Sequence, residues 1–124
     1  MKQLLLIGLG GFVGSVFRYL ISKLNNYWHF LSLPIGTLSV NVLGSLLIGF
    51  LVGISAKSDV ISSDLRLFLM VGFCGGFTTF STFSNENMML IQNGQILTAL
   101  FYTSLSILLG FSAVYLGYLS STLF

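Results

Sequence analysis

The chain has 124 residues, 55% of them hydrophobic and 6% charged, with five Lys+Arg, three Asp+Glu and a formal charge of +2. Its mean hydropathy is +0.97, and soluble domains carry about 25% charged residues, so an ordinary soluble enzyme is excluded. So few and scattered cations form no phosphate-tracking surface, which excludes nucleic acid as a partner.

One cysteine, Cys74, allows no internal disulfide, and one histidine, His29, with three carboxylates leaves little for acid/base chemistry. Residues 3–17, 24–56, 67–85 and 87–124 carry no charge. A membrane helix takes about 20 residues, which predicts four spans at about 4–24, 33–55, 67–91 and 95–119. The fold class expected is an all-α membrane protein forming a single domain over the whole chain.

The first span opens on Met1-Lys2-Gln3 and an apolar run, the pattern of a signal peptide. Gly8, Gly10, Gly11, Gly14 and the following Arg18 fit a closely packed helix better than a cleaved segment. Arg18 either raises the local anion concentration at a vestibule or snorkels to the interface. Tyr27, Trp28 and His29 fall in the first loop, where aromatic rings favour the water boundary. Pro34 suits the start of the second span. There Thr37, Asn41, Gly44, Ser45 and Ile48 share one face, with Asn41 as a buried amide.

The third span holds the sharpest departure from an apolar helix, Gly72-Phe73-Cys74-Gly75-Gly76-Phe77-Thr78-Thr79-Phe80-Ser81-Thr82-Phe83-Ser84. Paired glycines followed by β-branched and hydroxyl residues predict a break in mid-span. Non-helical backbone at that depth is tolerated only when buried in protein or lining a polar cavity. The carbonyls so freed form a cation site, or else the segment is a kink satisfied by threonine hydroxyls. Past the break, Phe80, Phe83, Ser84 and Asn87 lie on one face. Glu86 is the lone acid of the span, either lining a vestibule or paired with a cation, and it is given no proton-transfer role. Cys74 reads as a small buried packing residue.

Asn93-Gly94 supplies a turn, after which Thr98, Tyr102, Ser106 and Gly110 repeat every fourth residue. Gly110 and Val114 continue the spacing without hydroxyls. Tyr115 and Tyr118 near the end suit the interface. Gly10 and Gly14, Gly49 and Gly53, and Gly72 and Gly76 each make a GxxxG pair.

Four spans put Lys2, Lys57 and Arg66 on one side and Arg18 and Lys23 on the other, which is almost no bias. The chain inserts either in one weakly preferred orientation or in both, and two opposite copies make an antiparallel dimer with its axis in the membrane plane. The polar stripes either hold the helices together or form a narrow track of hydroxyls, an amide and aromatic rings. Ring edges carry positive potential, so Phe80 and Phe83 presented edge-on stabilise a small dehydrated anion. Asn41 and the hydroxyls donate to the same ion, and several weak sites let it both enter and leave.

The motifs Gly10-Gly11-x-x-Gly14-x-x-x-Arg18-Tyr19, Gly36-Thr37-Leu38-x-Val40-Asn41-x-x-Gly44 and Gly72 to Phe83 strongly resemble those of the Fluc (CrcB) fluoride channels. The resemblance implies an antiparallel, dual-topology homodimer in the bacterial cytoplasmic membrane, with two fluoride pores and a central structural sodium ion. It also implies that Gly75 and Thr78 offer backbone carbonyls to the sodium and that Phe80 and Phe83 form the fluoride sites. By the same resemblance Asn41 donates to fluoride, Tyr102 and Ser106 belong to the polar track, and Arg18 faces the cytoplasmic vestibule. Such a channel is passive, because an inside-negative potential drives anions outward with about 2.3 kcal/mol per charge per 100 mV. A small proton-coupled multidrug transporter is the competing class, but it needs a carboxylate in the first span, where this chain has Arg18 and no acid. An assembly subunit without transport is a third possibility.

Overall fold

Backbone polar groups in lipid must be satisfied within the segment, so an apolar chain of this length resolves into helices. The computed structural model describes residues 1–28, 30–57 and 60–124, with the side chain of Phe30 outside the description. The expectation for His29 therefore lies outside the described residues. Helix α1 spans Lys2–Ser22 and α2 spans Ile35–Lys57. The third span begins with α3 over residues 63–77, made of an α-turn at Ser63–Arg66, a π-wound stretch at Leu67–Cys74 and a last turn at Gly75–Phe77. Helix α4 covers Ser81–Gln92 and α5 covers Ile96–Ser120. Among the described residues four helical runs are long and apolar enough to cross a membrane.

Local sequence sets the ends. Pro34 stands immediately before α2, and its carbonyl accepts the Leu38 N–H at 3.0 Å. The third span starts at Ser63, earlier than the hydropathy boundary at Leu67. The Ser62 hydroxyl accepts the Leu65 N–H, and Asp64 lies in the first turn, so a polar turn is helical ahead of the apolar run. Gly94 takes φ 75°, and the Gly94 and Gln95 N–H groups return to the Ile91 and Leu90 carbonyls, closing the tight turn before α5.

The helices pack as two parallel pairs. Ile7 and Gly10 meet Gly72, Gly11 meets Gly76, and Gly14 meets Phe73 and Phe77, so α1 and α3 run side by side. Gly49 meets Val114 and Gly117 meets Leu46, so α2 and α5 do the same. A Cβ at Gly10 or Gly14 would overlap a backbone carbonyl of α3, and one at Gly49 would overlap the Val114 carbonyl. Glycine permits these approaches, which give dispersion contact where apolar burial gives none in lipid.

The buried cluster of Leu33, Leu38, Leu90, Ala99 and Tyr102 sits where α2, α4 and α5 converge. Large apolar side chains cover the outside, among them Leu5, Leu9 and Phe12 of α1 and Leu97, Leu108 and Phe111 of α5. That surface suits acyl chains or another apolar protein face.

Candidate functional site

The helical run of the third span stops at Phe77. Thr78 is extended, with φ −78° and ψ 158°, and helix resumes at Ser81. Each backbone group freed there costs several kcal/mol, roughly, if left bare in lipid, so the partners of this segment define the site. Asn41 of α2 clasps Thr79 from both sides: its Oδ1 accepts the Thr79 N–H at 2.8 Å, and its Nδ2 donates to the Thr79 carbonyl at 3.0 Å. The Thr79 hydroxyl accepts the Thr82 N–H at 3.2 Å, in the manner of a capping side chain for α4. Thr78 ties back to Cys74 through its N–H and its hydroxyl, the latter at 2.8 Å.

Arg18 turns inward. Its guanidinium donates to the Thr78 carbonyl at 3.3 Å, so the charge lies against the interruption. Ser15 reaches the Gly76 carbonyl at 3.5 Å. Among the described residues no donor approaches the Gly75 carbonyl, because the Thr79 N–H that a continuous helix would offer it is held by Asn41. Asn41, Gly75, Thr78, Thr79 and Phe80 line one concave surface of about 440 Å³, together with Ser45 of α2.

Beyond the interruption three rings follow in sequence. Phe80 and Phe83 are 5.8 Å apart at 42°, and Phe83 and Tyr102 are 5.1 Å apart at 57°, both tilted arrangements that turn ring edges toward neighbouring groups. Phe80 is 78% exposed, whereas Tyr102 is fully buried. Glu86 stands next to these rings and accepts from two neutral donors, Thr37 Oγ1 at 2.5 Å and Tyr102 OH at 2.8 Å. Asn25 of the first loop donates to the Thr37 hydroxyl and accepts the Gly36 N–H, fixing the start of α2 beside the carboxylate. Asn87 accepts from the Thr103 hydroxyl at 3.0 Å and joins α4 to α5.

The residues expected from the sequence thus fall into two adjoining groups. Asn41, Gly75, Thr78 and Phe80 share the concave surface, with Arg18 touching its Thr78 carbonyl, while Phe83 and Tyr102 flank Glu86. Ser106 lies one turn past Tyr102, its hydroxyl buried without a partner among the described residues. The sequence assigns no role to Thr79 or Asn25, and it marks Thr37 only by a stripe and a motif. Thr37 has a signal, its place on the polar stripe of α2, as Tyr102 has on that of α5. The loop residue Asn25 had none.

A chain of four apolar helices whose polar groups gather at an interrupted third span is a multi-pass membrane protein with an internal polar seam. It belongs to the CrcB family: residues 5–118 match the family described as CrcB-like protein, Camphor Resistance (CrcB). Proteins named "Fluoride-specific ion channel FluC" are similar along nearly their whole length. The one from Azobacteroides pseudotrichonymphae is 42% identical over 124 residues, covering 100% of this chain and 99% of the relative. Those from Flavobacterium psychrophilum and Bacteroides fragilis are 46% and 48% identical, each covering 94% of both chains.

Proposed function

We propose that this chain is a passive, fluoride-selective channel that lets cytoplasmic fluoride leave down its electrochemical gradient. The observation that carries the reading is the full-length similarity to relatives named as fluoride channels. Hydrogen fluoride crosses lipid as a neutral acid and releases fluoride in a less acidic compartment. An inside-negative potential then supplies about 2.3 kcal/mol per charge per 100 mV for its exit, with no chemical step required. Membership of this family gives no support to the multidrug transporter.

In this reading the edges of Phe80 and Phe83 replace part of the ion's water without holding it tightly. The free second N–H of the Asn41 amide donates to the ion, the first being held by Thr79. Tyr102 and Ser106 continue the track. Glu86 and the ion accept from the same Thr37 and Tyr102 hydroxyls, so an arriving anion competes with a carboxylate for its donors. The Arg18 charge raises anion concentration nearby.

Two copies in opposite orientations form the channel, with one pore for each and the two interruptions at the shared axis. The Gly75 and Thr78 carbonyls of both copies would hold a sodium ion, whose charge ties the two interruptions together. The fit rests on the Gly75 carbonyl, which has no donor among the described residues, and on the second lone pair of the Thr78 carbonyl, the first being taken by Arg18.

Liposomes containing the purified protein are expected to release fluoride under a potential and to retain chloride. Phe80→Ile or Phe83→Ile is expected to slow release by about tenfold or more, the loss of one aromatic edge contact. Equal release of chloride, measured by ion-selective electrode, rejects the assignment.

A further inference from the structure

Helices α2 and α5 lie side by side with a constant offset. Ser45 faces Gly110, Gly49 faces Val114, and Gly53 faces Tyr118 and Ser121. Carried one and two turns the other way, that offset sets Asn41 level with Ser106 and Thr37 level with Tyr102. The last pair is indeed joined, through the Glu86 carboxylate. The seam is therefore a ladder of rungs, with α5 contributing a hydroxyl at Tyr102 and at Ser106 and none at Gly110 or Val114.

At the first of these gaps the opposite helix supplies the missing group. A Cβ built on Gly110 would have one neighbour within 4 Å, the Ser45 hydroxyl at 3.9 Å. Ser45 also lines the concave surface with Asn41, Thr79 and Phe80. The side-chain hydrogen bonds of α2 are made by Thr37, Asn41 and Lys57, and among the described residues Ser45 makes none. A serine inside a helix commonly turns its hydroxyl back to the carbonyl four residues earlier. Here neither Ser45 nor the buried Ser106 hydroxyl is engaged in that way. One rung further the backbone contact of Gly49 with Val114 shuts the seam.

The geometry points to Ser45 as a further pathway residue: it is the last hydroxyl donor before the Gly49–Val114 contact closes the seam, standing where Gly110 provides none, and it passes the ion between the seam and the Phe80 surface. This assignment rests on the channel reading above. It makes the polar path change helices at this level, from α5 to α2.

The test is fluoride efflux from liposomes holding the full-length protein, comparing wild type, Ser45→Ala and Ser45→Ala with Gly110→Ser. Losing one hydrogen bond to an ion predicts that Ser45→Ala is slower by about tenfold. Moving the hydroxyl to the facing helix is expected to restore the rate to within about threefold of wild type, which a packing role for Ser45 would not allow. Ser45→Thr keeps the donor and is expected to conduct like wild type, so a folding defect in the alanine variant still leaves a reading. An active wild type with an indifferent Ser45→Ala overturns the role of Ser45 alone. So does a slow Ser45→Ala that Gly110→Ser fails to rescue while Ser45→Thr is equally slow. A wild type that releases no fluoride instead overturns the channel reading, and this assignment with it.

Discussion

Asn41 shows how one side chain lets a chain leave helical geometry inside a membrane. Its amide offers one acceptor and two donors, and the structure uses the acceptor and one donor on the N–H and carbonyl of Thr79. Asn41→Leu removes both partners and leaves two backbone groups bare. The expected loss is about 2–6 kcal/mol for the two groups together, read as a lower melting midpoint in detergent. Asn41→Ala is expected to lose less, because water can reach the Thr79 backbone from the concave surface. An unchanged midpoint for Asn41→Leu would show that the clasp is dispensable. An amide in an apolar stretch is visible in sequence, so Asn41 was legible as a polar site. Its partner was not, because Thr79 is one hydroxyl residue among several and only the register of α2 against the third span selects it.

At the scale of elements, contact between helices depends on glycines whose missing Cβ atoms admit a neighbouring backbone. Gly14 lies against the Phe73 carbonyl and the Phe77 N–H, whereas Gly8 on the same helix has nothing within 4 Å. Gly14→Ala is accordingly expected to destabilise by about 1–3 kcal/mol as α1 is pushed from α3. Gly8→Ala is expected to be neutral or to stabilise by about 0.5–1 kcal/mol, since alanine is the better helix former and meets no neighbour. Equal effects at the two positions, compared by thermal melting in one detergent, would refute the packing argument. The GxxxG spacing already marks Gly10 and Gly14 and Gly72 and Gly76 as candidates for such contacts. It does not reveal that α3 is π-wound over Leu67–Cys74.

For the whole molecule, charge and exposed surface matter together. Lys2 pairs with Asp64, Lys57 donates to the Ser121 carbonyl and Arg66 to the Ser55 carbonyl, all at one end. Arg18 is drawn in toward Thr78. Three cations at that end against Arg18 and Lys23 toward the other give almost no orientation bias. A cysteine introduced as Phe124→Cys, with the buried Cys74 replaced by alanine, is expected to be labelled by an impermeant thiol reagent from both faces of the membrane in about equal amounts. One-sided labelling would overturn the antiparallel assembly while leaving the channel reading open to other arrangements.

The sequence by itself determined that this is a helical membrane protein of four spans, and it marked the third span as the place where helix is hard to maintain. Those properties follow from hydropathy, charge spacing and local backbone preference, which act over a few neighbouring residues. Family motifs added the expected pathway residues. Only the tertiary structure decided which carbonyls Asn41 and Arg18 satisfy, that Glu86 is held by Thr37 and Tyr102, and that Ser45 faces Gly110. Each of these depends on the register between helices distant in the chain, and register is set by the sum of many backbone and side-chain contacts across the glycine-lined seams.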